Sequence, residues 1–215
     1  MSVIQYLSIA ATIFCFCSLL SFFFKIVRLG KPQDLSERSG DTGKGILYAN
    51  TVAMMPQNKE SAYLHIPSYA SGMLFHIGLF SSLLIYILSF FPFFNHWISG
   101  SDRIHLIIPV FLIVTCTCGY LLLIKRACSK DLKPLSNPDD FISNAFVSTF
   151  QLTTILYLIM PTQNVIVTLY YIVCILMFLY MPFGKLRHVV YYFAARYHLG
   201  FFYGWRNVWP LKENE

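Results

Sequence analysis

Residues 69–92 read YASGMLFHIGLFSSLLIYILSFFP, a continuous stretch without Asp, Glu, Lys or Arg. A helix needs about 20 predominantly apolar residues to cross the hydrocarbon core of a bilayer, so this stretch predicts a membrane-spanning helix. It contains one histidine, His76. Ionisable side chains at membrane depth are costly, and His76 is therefore a candidate functional residue.

Four further apolar stretches lie at about 3–25, 104–124, 142–160 and 164–185. The chain has 215 residues, of which 56% are hydrophobic and only 12% charged, against about 25% charged in soluble domains. We therefore predict an all-α integral membrane protein, a single domain over residues 1–215 with five transmembrane helices. The first stretch lacks a basic leader region and a small-residue cleavage site, so we expect it to be retained as a span.

The basic residues are distributed unevenly about these spans. Of the 16 Lys and Arg residues, Arg103 alone falls in the loops on one side, and the other 15 fall between spans one and two, after span three or after span five. The positive-inside rule then predicts an N-terminus outside and a cytoplasmic C-terminus. The bases flank spans instead of lining one face of a folded domain, so no nucleic-acid partner is predicted.

Two polar segments are consequently predicted to be cytoplasmic, the loop 26–68 and the tail 186–215. The loop is too long for a simple turn and too short for an independent domain. We interpret it as a docking surface for a soluble partner, with a short interfacial helix around residues 46–55.

Several kinds of chemistry are not predicted. The six cysteines form neither a CxxC nor a CxxCH motif, which argues against an iron–sulfur or zinc site and against covalently attached haem. No acid–base pair or nucleophile constellation occurs, so hydrolysis is not predicted. None of the five predicted spans contains Asp or Glu, which argues against a transporter and against a proton relay through the bilayer.

Four histidines form the most informative pattern. His65 and His76 are 11 residues apart, and His188 and His198 are 10 apart. On continuous helices each pair is staggered by roughly 15–16 Å. If the two helices run antiparallel, His76 faces His188 and His65 faces His198. Haem iron takes two axial ligands across the macrocycle, so this pattern predicts two stacked b-type haems, with one haem as the alternative.

Three basic residues lie close to the second histidine pair: Lys185, Arg187 and Arg196. Their charges suit the propionates of a haem. The competing interpretation is that the histidines are ordinary interfacial residues. The protein is then a non-haem membrane anchor or assembly subunit.

Two motifs carry a resemblance to a known family, FHIG at Phe75–Gly78 and PFxxLxH at Pro182–His188. With the surrounding stretches MMPQNKESAYLHIPSYASGMLFHIGLF and LMFLYMPFGKLRH, the chain resembles the membrane cytochrome b of the respiratory nitrate reductase gamma-subunit family over about residues 5–210. The resemblance is strongest to the branch associated with heterodisulfide-reductase-like and dissimilatory-sulfite-reductase-linked complexes.

The resemblance implies an electron-transfer subunit of a membrane-bound oxidoreductase complex in the plasma membrane of a prokaryote. Such a subunit carries haem b and exchanges electrons between a membrane quinone and a cytoplasmic iron–sulfur protein. His76 and His188 match family ligands. The nitrate reductase branch has a second histidine about three turns after FHIG, where this chain has Tyr86. The second haem therefore depends on His65 and His198.

Overall fold

The computed structural model describes residues 2–30, 33–100 and 106–211, and every regular element in these ranges is helical. The described helices are α1 (Val3–Arg28), α2 (Thr42–Asn50), α3 (Glu60–Leu64), α4 (Ile66–Leu88), α5 (Pro92–Ile98), α6 (Ile107–Cys128), α7 (Pro138–Ile159), α8 (Asn164–Tyr180) and α9 (His188–Trp205). Arg103, the first residues of the predicted third span, Lys31 and Lys212 lie outside the described ranges.

Four of these helices, α1, α4, α6 and α7, are long and apolar enough to cross a membrane. A fifth span is counted only if α8 is taken together with α9, from which it is separated by a break. The prediction of an all-helical, multi-pass protein is therefore confirmed, with four or five spans in the described part of the chain. Each predicted boundary moves by a few residues, as is usual for helix ends.

The chain divides into two compact units. The first contains the N-terminal residues up to Phe16 and the segment Pro67–Leu186, and the second contains Cys17–Ile66 and the residues from Arg187 onward. Helix α1 thus contributes its first half to one unit and its second half to the other.

In the first unit, α7 packs against both α6 and α8. Phe150 and Leu158 of α7 and Tyr170 of α8 are completely buried. The start of α7 follows the sequence closely, because Asn137 and Asp140 form a reciprocal capping box and Pro138 occupies the first turn. This arrangement satisfies two backbone donors at the helix start.

In the second unit, α2 lies against α9 through small residues. A Cβ atom on Gly45 would overlap the backbone of Gly200 and Gly204, so the two helices approach at backbone distance. The Asp41 side chain caps α2 by accepting from the amides of Gly43 and Lys44. The short helix predicted around 46–55 is thus present slightly earlier, at Thr42–Asn50, and it packs on this chain's own C-terminal helix.

The segment before α2 is also fixed to the end of α9. The backbone amides of Ser39 and Gly40 both donate to the carbonyl oxygen of Trp205, at 3.0 Å. The indole Nε1 of Trp205 donates to the carbonyl oxygen of Ser36 at 2.9 Å. Most of the described part of the loop preceding α2 is therefore part of a folded unit.

The fifth predicted span, 164–185, contains Pro182 and is not one continuous α-helix. Helix α8 ends at Tyr180, a turn and the 3₁₀ segment Lys185–Arg187 follow, and His188 begins α9. Proline has no N–H to donate and its ring clashes with the preceding turn. A Cβ on Gly184 would overlap the Tyr180 ring, so the chain turns closely there.

Candidate functional site

The inner face of α4 is fixed in the first unit by close contacts at two glycines. A Cβ on Gly78 would overlap the side chains of Thr115 and Gln151, and a Cβ on Gly119 of α6 would overlap the ring of Phe75. The Phe75 ring is itself buried. These contacts determine which side of α4 faces its neighbours and which side faces away.

A buried glutamine reinforces this orientation. Gln151 of α7 is 0% exposed. Its Nε2 donates to the carbonyl oxygen of Phe75 at 3.1 Å, and its Oε1 accepts from the Thr115 hydroxyl at 2.9 Å. Burying an amide without hydrogen bonds in an apolar interior costs free energy, and here both the nitrogen and the oxygen of the side-chain amide are hydrogen-bonded. One side chain therefore connects α4, α6 and α7 beside His76.

His76 lies on the exposed face of α4. Its Nδ1 is 2.7 Å from the carbonyl oxygen of Gly72, one helical turn earlier. A carbonyl oxygen only accepts, so in this contact Nδ1 carries the proton. The neutral ring then has its lone pair on Nε2, which points away from that carbonyl.

Metal-ligating histidines are commonly arranged in this way. Such residues usually donate one ring N–H to a carbonyl or carboxylate, which fixes the tautomer and the orientation of the ring. His76 therefore fits the role of an axial ligand through Nε2. This assignment rests on the hydrogen bond of His76 to Gly72 and does not require a second histidine.

The surface around His76 also suits a flat macrocycle. A Cβ on Gly72 would meet nothing within 4 Å, so the space above this turn is open. Met73, Ile77 and Phe80 are exposed on the same helix, Phe80 to 62%. An exposed apolar surface with one imidazole can cover the face of a porphyrin ring.

The other three histidines occupy different settings. His188 begins α9 and His198 lies on the same helix, as the sequence predicted. His65 does not lie on α4, because it is the C-terminal cap of α3, with φ −138° and ψ 47°. His65 and His76 therefore do not share one continuous helix, because α4 begins at Ile66, and the stagger between them stays a prediction.

The two predicted histidine pairs differ in where their members lie. His76 belongs to the first unit and His188 to the second, and their pairing stays a prediction. His65 and His198 both belong to the second unit, and neither a hydrogen bond nor a ring contact joins them in the described part of the chain. Over the same ranges, no three His, Cys, Asp or Glu side chains converge as a metal site.

The three basic residues predicted to contact the haem propionates also differ in their surroundings. Lys185 forms an ion pair with Asp140 of α7, which Arg126 also approaches, at 3.5 Å. Arg187 is exposed. Arg196 lies over the Tyr192 ring, and its buried Nε has no hydrogen-bond partner. Because an unsatisfied guanidinium donor favours an acidic group, Arg196 fits the propionate role better than Lys185.

The position at which the resembled branch has a second histidine is filled by a tyrosine cluster. Tyr86 is 3% exposed, and its hydroxyl lies 2.7 Å from each of the hydroxyls of Ser8 and Thr12. Its ring contacts Phe90 and Phe178, at centroid distances of 5.0 and 5.1 Å. These partners of Tyr86 and the contacts of Gln151 do not follow from the amino-acid sequence alone. Polar residues within apolar spans were the available signal.

No family model, curated protein or solved structure matches this chain. The resemblance to the cytochrome b family therefore remains a prediction.

Proposed function

We propose that this protein is a haem b-containing membrane subunit that passes electrons between a membrane quinone and a cytoplasmic iron–sulfur protein. The observation that carries the proposal is the hydrogen bond from His76 Nδ1 to the Gly72 carbonyl oxygen. It presents Nε2 as a ligand on the open face of a helix of membrane length.

His76 and His188 are the residues assigned to hold the haem, and Arg196 and Arg187 are assigned to its propionates. When bound, haem supplies a one-electron redox centre. This chain's own residues then set the geometry: Gly72 fixes the imidazole, and Gln151 holds the backbone of the preceding residue. The open space at Gly72 leaves room for the ring.

One haem is favoured over two. The two-haem pattern required His65 and His76 to be staggered on one helix, and His65 lies outside α4. The interior position at Tyr86 is closed by hydroxyl and ring contacts.

The proposed orientation places the N-terminus outside and the C-terminus in the cytoplasm, because of the basic residues in the loop 26–68 and after residue 185. The iron–sulfur partner is assigned to the folded loop. Leu35 is fully exposed beside the residues that contact Trp205, and Leu47 is 65% exposed on α2. Exposed apolar side chains on an ordered segment suit a protein interface.

The test is a reduced-minus-oxidised visible spectrum of the purified protein, with haem quantified per chain. We expect an α-band typical of b haems and one haem per chain. His76→Ala should abolish it, and His96→Ala, an exposed histidine outside the site, should leave it intact. A folded preparation without the band would favour the non-haem anchor, and a persistent band in His76→Ala would remove the assigned ligand.

A further inference from the structure

A second candidate site lies in the second unit, between α1 and α9. A cavity of about 480 Å³ is bordered by the last turns of α1 and by the middle of α9. Its apolar walls include Phe23, Ile26, Val27, Val190, Phe193 and Ala194. This volume is within the range of pockets that hold small organic ligands, about 300–1,000 Å³.

The polar groups of this cavity are concentrated on one stretch of α9. Tyr197 and His198 are its hydrogen-bonding side chains, and their rings meet edge to face at 5.8 Å. His198 also borders a second cavity, of about 500 Å³, whose lining includes Gln33 and Asp34. His198 therefore borders both cavities.

The position of the cavity along α1 indicates where its ligand comes from. The last turn of α1, a helix of membrane length, carries Lys25 and Arg28. Basic residues at a helix end mark the level at which a membrane helix meets the lipid headgroups. A cavity bordered by Phe23 and Val27 is therefore within reach of molecules dissolved in the bilayer.

We propose that this cavity binds the headgroup of an isoprenoid quinone, with His198 as its hydrogen-bonding residue. For the identity of the ligand as a quinone, this inference rests on the proposed function. A quinone has an apolar chain and a flat, neutral ring whose carbonyl oxygens accept hydrogen bonds, and in the reduced quinol the hydroxyl groups also donate them. One imidazole in the lining of an otherwise largely apolar cavity matches that chemistry.

The lining argues against a phospholipid as the occupant. A phosphate headgroup calls for lysine or arginine, and the described residues that line the cavity include neither. The proposed quinone site also gives His198 a role other than haem ligation. His65, its predicted partner, is absent from the described lining of both cavities.

The experiment measures binding of 2-heptyl-4-hydroxyquinoline N-oxide, a fluorescent quinol analogue, to the full chain in detergent, with haem quantified in the same samples. Ala194→Trp should fill the cavity and weaken binding about tenfold. His198→Leu should weaken it about fivefold, and His198→Gln, which keeps a donor and an acceptor, should restore most of the affinity. Ser21→Trp, exposed on α1 outside the lining, is the matched control and should bind normally.

Haem content separates this inference from the proposed function. Unchanged haem in all four variants, with binding lost only in Ala194→Trp and His198→Leu, supports the quinone site. Unchanged affinity in Ala194→Trp, equal competition by phosphatidylglycerol, or loss of haem in His198→Leu would each overturn it. If the analogue binds but no variant contains haem, the proposed function fails and the cavity assignment stands as a ligand site.

Discussion

The side-chain amide of Gln151 donates a hydrogen bond of 3.1 Å to the carbonyl oxygen of Phe75, the residue before His76. This bond crosses between two helices in a completely buried position. It therefore fixes the height and rotation of α4 exactly where the candidate ligand lies. The haem site proposed here depends on the inner packing of α4 as much as on its outer face.

Gln151→Leu should weaken this packing without removing the ligand. The substitution deletes the bond to Phe75 and one bond of the Thr115 hydroxyl, which keeps its contact with Leu112. We expect a loss of about 1 kcal/mol in stability and a shifted midpoint potential at near-normal haem content. Thermal unfolding in detergent and a redox titration measure the two effects.

Gln163→Leu is the control for this change, because Gln163 is exposed and makes no side-chain cap at the start of α8. It should leave both quantities unchanged. A normal potential in Gln151→Leu, with only the melting temperature lowered, would limit Gln151 to a structural role.

Gly72→Leu should separate folding from haem binding. The fold should tolerate the change, because a Cβ on Gly72 meets nothing within 4 Å, and replacing a helical glycine favours the helix by up to about 1 kcal/mol. The larger side chain would nevertheless occupy the open space beside His76. We expect haem content to fall at least about fivefold while the melting temperature of the haem-free chain is retained.

Ala70→Leu, at an exposed position two residues earlier on α4, supplies the comparison. This variant also carries a leucine side chain, but away from the Gly72 carbonyl, and it should keep the haem. Full haem occupancy in Gly72→Leu would show that the macrocycle does not lie over this turn.

Gly45→Val should disrupt the second unit selectively. Its Cβ would overlap the backbone of Gly200 and Gly204, which cannot give way as a side chain can. Overpacking of this kind typically costs about 1–3 kcal/mol. We expect rapid proteolysis of the segment 33–50, measured by mass spectrometry of limited digests.

Gly43→Ala provides the matched change, because an added Cβ there meets only a side-chain oxygen of Asp41, at 3.3 Å. Its digestion should resemble that of the unmodified chain. Equal protection of Gly45→Val would contradict the close approach of α2 and α9.

Acid should loosen the segment that contains Asp34. The pKa of this carboxyl is lowered from its ordinary value of 3.8, first by hydrogen bonds from Ser36 and then by Arg206. A lowered pKa means that the ionised form stabilises the fold. The contribution is complete above the ordinary value and is lost as the pH falls below it.

Hydrogen exchange of residues 33–41 between pH 3 and pH 7, corrected for the intrinsic rate, should therefore show the protection falling below about pH 4. Asp34→Asn should give the weaker protection already at pH 7 and a smaller dependence on pH. The pKa of Asp41 is also lowered, by the amides of Lys44 and Gly43, and this residue remains in the variant as an internal reference. An unchanged acid dependence in Asp34→Asn would assign the effect to other groups.

Much of the architecture was predictable because membrane helices follow from local composition. The long apolar stretches indicated α1, α4, α6 and α7. The end of α8 and the break at His65 were not predicted correctly. Hydropathy gives the length of an apolar segment, but backbone breaks depend on the packing of particular turns, as at Tyr180 and Gly184.

The sequence by itself determined that the protein is helical and of membrane type, and that His76 is a costly side chain in an apolar stretch. Only the tertiary structure decided that the His76 ring faces outward, because that depends on which side of α4 packs against the neighbouring helices, and this is the side of Phe75 and Gly78. Likewise, only packing showed that Tyr86 is enclosed by hydroxyls and rings. The residue type determines the free-energy cost of burying a polar group, and the neighbours of that group in the fold determine whether hydrogen bonds offset the cost.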